Sequence, residues 1–296
     1  MSVRLRWIAS GSASCFHAVR RLSEGHAATL PEVAAALAAP TAELQAFLTV
    51  QRLPSPLFFG HLVPTAIGVE SNRELATAVL GKTAGRERAA ALVESSAGIL
   101  TACEQAYFRQ FPKLVDELEL RSRPLRELWE GHGPGVLTTL GRATERRLLV
   151  DEATVAVVLP YSGGGGCSHA AYNSVTIEAV LANPHGQLPE TIRLAWLLAA
   201  LNVDLPDIAE QFGPGRAETV LRLALVPAVL EAAAELELVR ADDKLLATAL
   251  EVWEAPQPAG ERTNEIVRAW WNLKQSNGTK WSIAVAALEQ LLYDAR

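Results

Sequence analysis

One change of pattern constrains this chain more than any other. In a sequence whose apolar residues mostly recur at helical spacing, ATVAVVLP at 153–160 and NSVTIEAVL at 173–181 abandon that spacing. The first crowds β-branched and apolar residues together, as in a strand covered on both faces. In the second, Val175, Ile177, Ala179 and Leu181 alternate with Ser174, Thr176 and Glu178, the period of a half-exposed strand. Around them the pattern predicts helices over 71–81, 86–110, 189–203, 216–239, 241–254, 262–275 and 280–294. The fold class expected is therefore α+β, predominantly α-helical, with a small central sheet of at least two strands, 153–160 and 173–181. Three regions follow: a helical one over 1–150, a small α+β core over 151–215 and a helical one over 216–296, compatible with one compact domain.

Local signals refine the helices. Ser71 and Glu74 in SNRE form a capping box. Leu92, Ile99, Cys103 and Tyr107 make one stripe on the 86–110 helix, which marks Cys103 as a packed thiol. Proline argues for interruptions: two short helices over 31–51 with Thr41 as a cap, no continuous helix through 52–69 past Pro54, Pro56 and Pro64, and a helix end and restart at GHGPG, 131–135. The first residues carry Arg4, Arg6, Arg20 and Arg21 before the first acid, Glu24, a composition shared with organellar transit peptides; a surface helix with a basic end is the reading adopted.

Bulk properties exclude several function classes. With 27 basic against 33 acidic residues the chain has no electrostatic footprint for nucleic acid. Three cysteines, Cys15, Cys103 and Cys167, never in CxxC spacing, make neither a disulfide framework nor a thiolate metal site, and a reducing cytoplasm suits them. No window holds the run of about 18 uninterrupted apolar residues that a membrane span needs.

The residues that invite a functional reading gather in LPYSGGGGCSHAAYNS, 159–174. Gly163, Gly164, Gly165 and Gly166 are followed by no Lys-Ser/Thr and by a strand instead of a helix, so neither a P-loop nor a dinucleotide fingerprint is present. Successive glycine N–H groups still make a concave nest for an oxyanion or carboxylate, while a flexible surface loop accounts for the same letters. Cys167 and His169 are catalytic candidates as thiol and imidazole, with His132 in GHGPG, or His185, as a base from elsewhere. Arg193 is the one charge between Glu190 and Asp204 in a segment bound for the core. It must meet a carboxylate such as Glu178, an anion or backbone carbonyls. With the glycines, Tyr172 and Glu178 it forms the candidate ligand-binding set. No two histidines stand at i, i+4 on a helix, so no metal site and no cofactor are expected, although His169, His185 and Glu178 are able to cluster in three dimensions.

The succession of strand, loop, strand and buried helix over 153–203 resembles in outline the core of small zincin metallopeptidases, whose helix carries HExxH. Here that helix reads Arg193-Leu194-Ala195-Trp196-Leu197, so the resemblance implies a scaffold without its metal. The expected function is non-catalytic binding, to a protein partner or to a second copy, through apolar segments at 53–69 and 270–281 that include Trp270, Trp271 and Trp281. The alternative is an enzyme or binding protein for a small anionic ligand, using the 161–172 loop and Arg193.

Overall fold

The computed structural model describes residues 3–203 and 206–294, without the side chains of 207 and 208. Asp204, the far boundary of the charge-poor stretch around Arg193, lies outside them. The protein is predominantly helical around one mixed four-stranded sheet. In chain order the strands are β1 (Arg4–Ala9), β2 (Glu152–Val158), β3 (Gly166–His169) and β4 (Ser174–Glu178). Their order across the sheet is β1-β2-β4-β3, with β1 and β4 parallel to β2 and β3 antiparallel to β4.

Two expectations about strands are corrected here. The N-terminal segment is not a surface helix with a basic end. Arg4 and Arg6 alternate with Leu5 and Trp7 along an edge strand, and α1 (Gly11–Ser23) behind it buries Cys15, Phe16, His17 and Val19. Nor is the second predicted strand half exposed. The β3 strand, inside the segment read as a loop, covers its outer edge, and all five residues of β4 are buried.

The helices before β2 are α1, α2 (Pro31–Val50), α3 (Ser55–Thr65), α4 (Asn72–Thr83), α5 (Arg86–Gln110) and α6 (Leu114–Ala143). Proline interrupts them less than expected. Pro40 lies inside α2, whose Val33, Leu37, Thr41, Leu44 and Leu48 keep one continuous buried face against α1 and α5. Among the described residues α2 is the one helix long and apolar enough to cross a bilayer by length and composition, with mean hydropathy 1.4. Pro54 and Pro56 stand at the start of α3, where their missing N–H groups cost nothing, and Pro64 stands at its end. GHGPG lies within α6: Gly133 is required there because a Cβ would overlap the Trp129 ring, not because a helix ends. Caps fall where side chains allow them, with Ser71 accepting the Glu74 N–H at 3.4 Å and Asp242 accepting the Leu245 N–H at 2.8 Å.

After β4 come α7 (Glu190–Ala199), the short α8 (Pro206–Ala209), α9 (Ala217–Glu235), α10 (Asp243–Val252), α11 (Arg262–Asn277) and α12 (Trp281–Asp294). Every residue of α7 is buried, because it is wedged against β3, β4, α6 and α9. One hydrophobic cluster runs through the helices and through β1, β2 and β4. The three parallel strands end together at Ala9, Val158 and Glu178, so the start of α1, the glycine loop and the segment before α7 meet at one end of the sheet.

Candidate functional site

Carboxyl ends of parallel strands are where open α/β sheets place their ligands. Here that end carries a buried polar centre. Glu178, the last residue of β4, is fully buried with 0% exposure. His17 on α1 donates from Nε2 to its Oε1 at 2.9 Å, the Ser162 N–H donates to the same oxygen at 3.0 Å, and the Gly164 N–H donates to Oε2 at 2.7 Å. Burial by itself pushes this carboxyl up, but the His17 hydrogen bond and charge, with the two loop amides, outweigh it and hold the group at about 2. The glycine loop is thus an anion nest, and the anion in it is the chain's own carboxylate.

The loop owes its shape to its composition. Gly164 has φ +136, which side chains rarely adopt, and a Cβ there would lie 2.7 Å from Pro184 Cγ. A Cβ on Gly166 would lie 2.6 Å from Leu197 Cδ1 and 2.8 Å from the Thr176 carbonyl oxygen, so β3 approaches α7 and β4 as closely as backbone allows.

Arg193 is 2% exposed on α7, with its Nε 3.3 Å from Glu190 Oε2. That is ion-pair distance without hydrogen-bond alignment: Glu190 Oε2 and Arg193 Nε and Nη1 have no hydrogen-bond partner among the described residues. Glu190 is 4% exposed, and burial, opposed by Arg193 and reinforced by Glu178, pushes its carboxyl up to about 7. A second ion pair flanks the loop. Arg21 grips Glu254 through both terminal nitrogens and donates from Nε to Ser162 Oγ at 3.0 Å. His26 Nδ1 lies 3.6 Å from the same carboxylate.

The remaining candidates are dispersed. Cys167 is half-buried on β3, and Arg20 donates to its Sγ at 3.4 Å. His169 is buried and bonded through Nε2 to Thr176 Oγ1 at 2.9 Å; burial first, then the charges of Arg20, Arg222 and His17, push it down to about 3, so it is neutral. No hydrogen bond joins Cys167 to His169 among the described residues. Burial pushes the Cys103 thiol up to about 12, as suits an inert packed group. Tyr172 points elsewhere, its hydroxyl contacting His61 Nδ1 at 2.8 Å, Lys82 Nζ at 2.9 Å and Thr65 Oγ1 at 3.2 Å. His132 is exposed on α6, and His185 is exposed in the segment before α7. Among the described residues no group of three or more His, Cys, Asp or Glu is placed to hold a metal.

A cavity of about 750 Å³ opens where the β1–α1 turn meets the α3 end and the α5–α6 turn, lined by Gly11, Ile67, Phe108, Phe111 and Lys113 among others, and by none of the residues around Glu178. His17, Arg20, Arg21, Ser162, Glu190 and Glu254 join the site although the sequence pattern does not mark them as site residues. Two of them carried a signal: His17 sits in the apolar run ASCFHAV, and Glu190 precedes Arg193 by three residues on the same helix. No protein-family model, curated protein or solved structure matches the chain.

Proposed function

We propose that this protein acts by binding, without chemistry of its own, and that it docks a second copy of itself on the outer face of α12. The two segments expected to offer an apolar surface are largely folded inward: Phe58, Phe59, Leu62 and Val63 are buried, as are Trp270, Trp271 and Trp281. What supports docking is α12 itself. Its inner face buries Trp281, Ala284, Val285, Leu288 and Leu292. Its outer face presents Ser282, Ile283, Ala286, Ala287, Gln290 and Leu291 to solvent, three turns without a charge. Ile283 is 61% exposed and Leu291 46%.

A helix apolar on both sides belongs to an environment that covers both sides. Large Ile283 and Leu291 flank small Ala286 and Ala287 on this face, and a copy related by a twofold axis would bring the same large and small residues to meet them. The thiol and imidazole candidates are dispersed, with Cys167 against Arg20, His169 against Thr176, and His132 and His185 apart from both, and that dispersal favours binding through a surface over catalysis. Sedimentation velocity tests the reading. The wild-type chain should sediment as a dimer, and Ile283→Glu with Leu291→Glu should sediment as a monomer with its far-ultraviolet circular dichroism unchanged. A wild type that stays monomeric at its highest soluble concentration refutes it.

A further inference from the structure

The buried centre supports a second inference, independent of the docking face. We infer that Arg193 anchors a site for a small oxyanion, a carboxylate or a phosphate, which residues 181–187 close in this structure. A guanidinium taken out of water is retained where its N–H groups find acceptors. Arg193 Nε and Nη1 find none among the described residues.

Among the described residues, the acids around the glycine loop are otherwise engaged or ill placed. Glu178 is saturated by His17, Ser162 and Gly164. Glu254 is held by Arg21. Glu190 lies within 3.3 Å but is not aligned, and its own Oε2 is also without a partner. The centre therefore has N–H donors to spare beside a carboxyl group shifted toward its neutral, hydrogen-donating form. That combination selects an anion over a cation, because an oxyanion accepts from both.

The cover is slight. Residues 181–187 are all exposed, Leu181 to 62%. They are tied to the centre by Asn183 Oδ1, which accepts the Glu190 N–H at 3.1 Å, and by Pro184, which rests on Gly164. Leu188, 2% exposed, anchors the far end of the strap, and Ala179, 1% exposed, the end next to β4. Moving it breaks the Asn183 bond to Glu190 and the Pro184 contact with Gly164, whereas the Glu178 hydrogen bonds come from His17, Ser162 and Gly164 and do not involve it.

The full chain titrated with inorganic phosphate, and separately with acetate, at constant ionic strength gives the test. The melting temperature of the wild type should rise saturably with at least one of the two anions, because a ligand that binds only the folded state stabilises it. Arg268→Met, which removes an exposed arginine on α11, should respond identically, and Arg193→Met should not respond. No rise in the wild type with either anion, or an equal rise in Arg193→Met, overturns the site. If Arg193→Met fails to fold, the Arg193 Nε–H resonance of the wild type decides: a saturable shift supports the site, and an unmoved resonance overturns it. Asn183→Ala, which frees the strap, should speed anion exchange several-fold; an unchanged rate removes the strap from the proposal.

Discussion

Glu178 and Glu190 lie on two sides of Gly164, almost equally buried, and they have opposite protonation behaviour. One is held at about 2 and the other pushed up to about 7. Burial penalises both charges alike. The difference is in the donors: Glu178 receives an imidazole N–H and two backbone N–H groups, whereas Glu190 Oε2 receives none despite a guanidinium 3.3 Å away. Alignment, more than proximity of charge, decides whether a buried carboxyl stays ionised. A satisfied centre of this kind rigidifies the fold, whereas the one beside it keeps donors that are not used within the described residues.

Replacing the satisfied carboxyl should have the largest effect. Glu178→Ala strands His17 and the Ser162 and Gly164 amides, and should cost about 3–5 kcal/mol in chemical denaturation. A cost below that of an exposed substitution would show that the nest does not stabilise the fold.

The two carboxyls should next separate by pH. The folded state holds the Glu190 proton more tightly than the unfolded chain, so stability falls as pH rises from the ordinary 4.5 to about 7 and levels off above. Glu190→Gln cannot titrate, should lose that decline, and should gain roughly 3 kcal/mol relative to wild type above the window. Glu178 has the opposite sign: its contribution is complete above 4.5 and is lost as pH falls toward about 2, so both proteins should share the acid limb. Parallel profiles across the upper window would remove the contrast between the two groups.

The smallest effect belongs to the residue between them. Gly164→Ala forces a side chain onto φ +136 and against Pro184, and should cost about 1–3 kcal/mol by thermal unfolding. A loss confined to the strap, read as faster amide exchange at Glu190 without a change in global stability, would sharpen the comparison by assigning the contact to the cover alone.

The site was legible only in pieces. The glycine run, Glu178 and Arg193 stand out in the sequence because each breaks a local rule: four glycines in a row, an acid at a strand end, a lone charge in an apolar helix. Their partners break no rule strong enough to be read, because the contacts are remote along the chain. His17 meets Glu178 across 161 positions, and Arg21 meets Glu254 across 233. Strand β1 shows the same limit: its alternation of Arg4 and Arg6 with Leu5 and Trp7 is visible once its partner is known, yet six residues are too few to outweigh a helical reading of the same basic stretch. Proline misled for a different reason. A missing N–H weighs little where a long buried stripe carries a helix across it, as in α2 and α6.

Residue periodicity alone determined that this chain is mostly helical, that its middle forms strands, that the helix carrying Arg193 is buried, and that Arg193 therefore needs a partner. Periodicity reports which face of a segment avoids water, an effect that acts within a few turns. Tertiary structure alone decided that β4 is interior, that the glycine nest is filled by Glu178, and that Arg193 is left with Glu190 and no aligned acceptor. Those outcomes depend on hydrogen-bond direction between segments far apart in the chain, and direction is set only once the segments have packed.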